Sequence, residues 1–325
     1  MIKVGIIGGA DYLTGELTRL LINHPDVNLT FICAPDLAGM AIGDVHQGMI
    51  GETSLRFSAS PELDAIDVLF LALPRGASKR FLEENEVPAE VKIIDLSPDF
   101  RMQSPEAPHD FVYGLPEINR KPLVRGALHA SNPGCFATAV SLALLPLAKA
   151  GKLQGPIHVA ALEGATDAGA DPSPIGHYPW RNENIAVYRP LRHSADDEIK
   201  TLLTTLQPDF DEEVLLMPMR GSFSRGALVA LYLPCDMNLT ELTALYNEAF
   251  DDHNFTFIVD RQPDLKDVVN TNKCLIHLDK AGNRLIITAA IDNLLKGGAG
   301  NAVHLMNLLF GLSERTGLTL KPSAY

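Results

Sequence analysis

The alternation in the first third of the chain limits its fold more than any other feature. Continuous apolar runs at residues 4–7, 27–33, 68–73 and 91–96 are separated in part by amphipathic helical stretches at 15–23 and 76–84. Runs without polar alternation belong to strands buried on both faces, and helices between them form the crossovers of a parallel sheet. This predicts a Rossmann-type, doubly wound α/β domain. Beyond Cys135 the texture changes. A helix over 136–149 leads into longer strands at 157–162, 214–219 and 227–233. A hairpin over 274–291 turns at Lys280-Ala281-Gly282-Asn283. Few helices are evident among these strands, which predicts a mostly antiparallel sheet in an α+β second domain. A last helical pattern over 302–312 suits a return to the first domain. A chain of 325 residues is long for one hydrophobic core, in keeping with two domains.

Composition narrows the class of partner. A formal net charge of −13 disfavours nucleic acid and anionic membrane surfaces, while leaving room for a locally basic cleft. The most apolar stretch, 139–148, is too short to span a bilayer and contains Pro146. The chain enters a strand at once, without a signal-peptide pattern. Cys33, Cys135, Cys235 and Cys274 lie far apart with no paired metal spacing, so no metal is expected. Free thiols in a reducing cytoplasm are the simplest expectation.

Two motifs carry chemistry. Gly5, Gly8, Gly9 and Gly15 follow or end the first strand and precede a helix, and in such a turn glycines let a backbone approach a pyrophosphate. Their spacing departs from the usual dinucleotide fingerprint, and a plain tight turn remains an alternative. Asp11 falls within this turn, where a carboxylate would face phosphate oxygens. Asp36, after the second strand, suits an adenosine ribose and repels a 2′-phosphate, so by itself it favours the unphosphorylated dinucleotide. The second motif is stronger: Ser131-Asn132-Pro133-Gly134-Cys135-Phe136-Ala137-Thr138. A thiol at a helix start sees the positive end of the dipole, which predicts a lowered pKa and a nucleophilic thiolate. The other three cysteines, in or beside strands, read as structural.

From residue 131 to Pro146 the chain resembles the N-acyl-γ-glutamyl-phosphate reductases, relatives of aspartate-semialdehyde dehydrogenase. Further matches are Asp95-Leu96-Ser97-Pro98-Asp99-Phe100-Arg101, Tyr113-Gly114-Leu115-Pro116-Glu117 and Asp292-Asn293-Leu294-Leu295-Lys296-Gly297. The resemblance implies a dinucleotide-binding domain over 1–134 with 301–325, and a catalytic and dimerisation domain over 135–300. It implies NADP as cofactor, with NAD left open by Asp36, and a homodimer or homotetramer acting on a small acyl phosphate. Cys135 would attack the γ-carbonyl and expel phosphate; hydride transfer to the thioester and collapse of a thiohemiacetal would then give the semialdehyde. His193 would manage protons, and Glu198 would orient it or bind substrate. Cofactor contacts fall to Gly8, Gly9, Ala10, Asp11, Tyr12, Asp36, Gly164 and Asn293. Substrate contacts fall to Arg101, Asn132 and Arg225, with Lys296 a further anion-binding candidate. Arg181 is the nominee for an extra carboxylate, should the acyl group be succinyl rather than acetyl.

The chain departs from the family pattern in places. Ala195 and Asp197 replace a histidine and a proline in the segment that His193 opens. Asp167 replaces a glycine in Glu163-Gly164-Ala165-Thr166-Asp167-Ala168-Gly169, Asp11 replaces one in the first turn, and Thr14 stands where many members have glycine. Two readings follow: an active reductase, or a paralogue with impaired cofactor binding that serves as a binding or regulatory subunit. Retention of Cys135, His193 and Glu198 puts the enzyme first.

Overall fold

The computed structural model describes residues 1–102 and 110–323. In chain order the elements are β1 (Ile2–Ile7), α1 (Tyr12–Ile22), β2 (Val27–Cys33), α2 (Ile42–Val45), β3 (Val68–Leu71), α3 (Ala77–Glu84), β4 (Lys92–Asp95), β5 (Phe111–Tyr113), α4 (Pro116–Val124), β6 (His129–Ser131), α5 (Cys135–Lys149), β7 (Ile157–Glu163), α6 (Tyr178–Arg181), β8 (Ala186–Val187), α7 (Ser194–Leu206), β9 (Val214–Arg220), β10 (Ala227–Pro234), α8 (Leu239–Phe250), β11 (Thr256–Ile258), β12 (Cys274–Ala281), β13 (Arg284–Ile291) and α9 (Ala299–Leu309). The chain divides into two compact units: Met1–Pro133 with Gly298–Thr319, and Gly134–Gly297 with Leu320–Tyr325.

The first unit is built on a sheet of order β2-β1-β3-β4-β6-β5, every pair parallel. Its strands are apolar because both faces are covered: Val68, Leu69, Phe70 and Leu71 of β3 are all fully buried. Helix α9 is buried along its whole length and packs on α1, α4 and β4. The expected return of the chain to this unit is therefore made by α9. Its last residues leave again: Asn270 Nδ2 donates to the Lys321 carbonyl and Ser323 N–H to the Val269 carbonyl, within the second unit.

The second unit holds a sheet of order β11-β12-β13-β10-β7-β9-β8. It is more mixed than expected, since β7 pairs parallel with β9 and β11 with β12. The physical reason is the crossover. The chain from β7 to β9 passes through α7, and parallel neighbours need such a connection. One sheet face alternates inward and packs on α5, α7 and α8. Helix α5 is buried from Phe136 through Ala148, as expected of a helix apolar all round. No helix of the described residues is long and apolar enough to cross a membrane.

Candidate functional site

Cys135 opens α5, and several contacts fix that start. Gly134 N–H donates to Glu198 Oε1 at 3.1 Å, from the first turns of α7. Glu198 is buried, so its carboxylate pins the turn that carries the thiol. Gly297 lies so close that an added Cβ would sit 2.7 Å from the Cys135 Cβ and 2.8 Å from the Asn293 carbonyl. The glycine of the 292–297 motif is thus required by packing against the cysteine.

The thiol's side-chain hydrogen-bond partner is Asp167. Sγ donates to Asp167 Oδ1 at 3.1 Å, and Sγ, an Asp167 oxygen and a Glu163 oxygen all lie within 4.8 Å of one another. Glu163 is the last residue of β7 and faces inward with no side-chain exposure. Its Oε1 accepts from the Tyr188 hydroxyl and lies 3.5 Å from Arg220 Nε, a residue directly across the β7–β9 ladder. Arg220 in turn stacks 3.8 Å over the Tyr188 ring. Tyr188 OH meets His193 Nε2 at 3.4 Å. His193 caps α7, its Nδ1 accepting from Ala195 N–H at 3.2 Å, which assigns the ring proton to Nε2.

This crowding of acids reverses one sequence expectation. Burial, then the charges of Asp167 and Glu163, push the Cys135 thiol well above its ordinary pKa, and only the Phe136 N–H acts the other way. The helix start is real, but burial and the Asp167 carboxylate at 3.1 Å outweigh its dipole effect. Glu163 itself is pushed up to about 9, first by burial and then by Asp167. Burial also lowers His193, with Asp167 opposing that shift and Arg189 and Arg220 adding to it.

Other predicted residues occupy distinct places. Within the second unit, Gly164 N–H donates to the Gly226 carbonyl at 2.9 Å. Asn293 Oδ1 accepts from Gly226 N–H at 2.7 Å, and its Nδ2 donates to Thr166 Oγ1 at 3.1 Å. Arg225 pairs with buried Asp292 at 2.9 Å, and Lys296 is fully buried. Arg181 Nε donates to the Gly221 carbonyl at 3.0 Å, while its Nη2 is buried without a hydrogen-bond partner. In the first unit, Arg101 is spent on backbone, donating to the Asn132 carbonyl at 2.8 Å and the Leu96 carbonyl at 3.2 Å. Asn132 Oδ1 accepts from Asn301 Nδ2 at 2.8 Å.

The first turn corrects a second expectation. The Asp11 carboxylate does not stand free to face phosphate; it is the N-cap of α1. It accepts from Thr14 N–H at 2.9 Å, Thr14 Oγ1 at 2.6 Å and Gly9 N–H at 3.4 Å. The two departures from glycine at Asp11 and Thr14 therefore satisfy each other. The turn still fits a dinucleotide. An added Cβ on Gly8 would meet Thr14 Oγ1 at 2.3 Å, so glycine lets strand and helix close together. A Cβ on Gly9 would meet only Leu37 Cδ1 at 4.0 Å, so that side is open to an approaching phosphate at the start of an eleven-residue helix. Ala10, Tyr12 and Asp36 are exposed around it.

Sequence reasoning missed Glu163 and Arg220 and gave Tyr188 no chemical role. Glu163 had one visible signal, an acid closing an otherwise apolar strand. Arg220 had none, because its pairing with Glu163 joins residues far apart in the chain.

Comparisons with known proteins give the family. Residues 3–125 match the family model "Semialdehyde dehydrogenase, NAD binding domain", and 135–293 match "Semialdehyde dehydrogenase, dimerisation domain". A Parabacteroides distasonis protein named N-acetyl-gamma-glutamyl-phosphate reductase is 54% identical, with both chains covered in full. The chain belongs to that reductase family. Members so named from Bacteroides thetaiotaomicron and Flavobacterium johnsoniae are 51% and 45% identical, again over the whole of both chains. Aspartate semialdehyde dehydrogenase II of Vibrio cholerae shares the fold with a TM-score of 0.74 at 14% identity, covering 96% of this chain and 98% of that one. The Candida albicans aspartate semialdehyde dehydrogenase, solved with NADP, gives 0.69 at 12%, covering 95% and 98%. Nothing in these likenesses supports a reductase-family paralogue without cofactor binding, and the capped state of Asp11 removes one of its physical grounds.

Proposed function

We propose that this chain catalyses the NADPH-dependent reduction of an N-acyl-L-glutamyl 5-phosphate to the 5-semialdehyde, a step of arginine biosynthesis. The observation that carries the reading is a cysteine at a pinned helix start beside proton-bearing groups, in a chain half identical to reductases of that name. Attack by Cys135 sulfur on the acyl carbon expels phosphate and leaves a thioester, while the thiol proton passes to Asp167. Gly8 and Gly9 are the residues that would hold NADPH, which would supply the hydride for the thioester carbon. As the thiohemiacetal collapses, the C–S bond breaks and sulfur recovers its proton from Asp167. His193, its Nε2 proton directed at Tyr188, gives that proton to the substrate oxygen as the thiohemiacetal forms and takes it back as the thiohemiacetal collapses. Arg220 and Arg181, flanking the acids, are the cations for the substrate's anionic groups; Arg101 and Glu198 act by bracing the turns on either side of Pro133.

The active form is a homodimer in this reading. The uncovered face of the seven-stranded sheet exposes Met217, Tyr232 and Phe257, which a second copy would cover. The four free thiols suit a reducing cytoplasm.

The test is phosphate-dependent reduction of NADP⁺ by an N-acyl-glutamate semialdehyde, with N-acetyl and N-succinyl substrates compared. Activity lost in Cys135→Ser supports the reading, and absence of activity with both substrates contradicts it. An Arg181→Gln loss confined to the succinyl substrate would assign that cation to the extra carboxylate.

A further inference from the structure

The side chains around Cys135 bring more anionic donors than thioester chemistry needs. Sulfur and two carboxylate oxygens lie within 4.8 Å of one another, and no other group of three such side chains converges this way among the described residues. Glu163 Oε1 is fixed by Tyr188 and Arg220, while its Oε2 is buried and accepts no hydrogen bond. One oxygen is thus held by its neighbours, and the remaining contact of the carboxyl group is to Asp167, the next candidate ligand, across a proton that a cation can replace.

We propose that a thiophilic divalent cation, with zinc as the test case, binds Cys135, Glu163 and Asp167 and blocks the nucleophile. Zinc takes sulfur at about 2.3 Å and carboxylate oxygen at about 2.0–2.2 Å, usually tetrahedrally, leaving the fourth position to water. The present Sγ–Oδ1 separation of 3.1 Å needs only a small opening to receive it. Binding forms one Zn–S and two Zn–O bonds and breaks the S–H bond of Cys135 and the O–H bond of Glu163. Roughly two protons leave to solvent, and nothing is oxidised or reduced. Arg220, beside Glu163, offsets the single negative charge that remains.

The blocking of turnover rests on the role of Cys135 proposed above, but the binding does not, so binding is read without turnover. Cobalt(II) added to the full-length protein should give a thiolate-to-cobalt charge-transfer band in the near ultraviolet, bleached by zinc and absent in Cys135→Ser. Asp167→Gly and Asp167→Asn should each weaken zinc binding by about 10- to 100-fold or more, and Glu163→Gln likewise, with folding checked by circular dichroism. Zinc should also protect Cys135 from iodoacetamide, and a chelator should restore labelling. No band in the wild type would overturn the proposal. So would zinc bound as tightly by both Asp167 variants, which would place the ion on the thiol and His193 instead.

Discussion

Two loops of this molecule carry the same departure, an aspartate where the family pattern has glycine, and they treat it in opposite ways. Asp11 meets two backbone N–H groups and a hydroxyl within its own helix start, so its charge is spent locally. Asp167 meets a thiol and a buried carboxylate, so its charge falls on the reacting atom. A residue type does not fix its consequence; the donors within reach of its oxygens do.

The largest effect that sharpens this contrast lies on the catalytic side. His193→Ala should leave folding intact and lower turnover by about 10²- to 10⁴-fold in the reverse assay, the usual range for a proton-transfer residue. Wild-type turnover in that variant would detach His193 from the site and leave Asp167 with Tyr188 to handle every proton.

Next comes a pH effect on stability. Glu163 has an ordinary value of 4.5 and a folded value of about 9. Between these, the unfolded chain has lost the proton and the folded chain keeps it, so stability falls as pH rises through the window, by at most about 1.4 kcal/mol per pH unit. Glu163→Gln removes that decline. Its Tm should equal or exceed the wild type above neutral pH, with the gap widening towards pH 9. Parallel Tm–pH curves for the two proteins would show that Glu163 is not held protonated.

The smallest effects belong to Asp11. Asp11→Ala removes an N-cap and should cost about 1 kcal/mol, read by chemical denaturation. Asp11→Gly should change NADPH affinity by no more than about threefold, since the carboxylate is already turned onto its helix. A tenfold tightening by titration would return the charge to the cofactor and undo the contrast.

These loops also mark where the sequence was legible. The parallel sheet could be read because strands buried on both faces leave unbroken apolar runs, as in β2, read at its observed bounds. Helix α7 was passed over, although Ala195, Glu198, Ile199 and Leu203 line its buried face. Its first turn is rich in acids, and in sequence His193 reads as a motif residue rather than as the cap it is. The parallel pairing of β7 with β9 was also out of reach, because it depends on that unread crossover. Cys135 could be found from local turn chemistry alone. Its protonation could not, because Glu163, Asp167 and Arg220 come to it through loop and ladder geometry that no local pattern encodes.

The most direct test of the account is the pH dependence of Cys135 alkylation by iodoacetamide, followed by mass spectrometry in the wild type and in Asp167→Gly. Burial and the carboxylate at 3.1 Å predict an apparent wild-type pKa above the free-cysteine value of about 8.5, and a fall towards that value once the carboxylate is removed. A wild-type value below 8.5, unchanged in Asp167→Gly, would contradict it and return control of the thiol to the helix terminus.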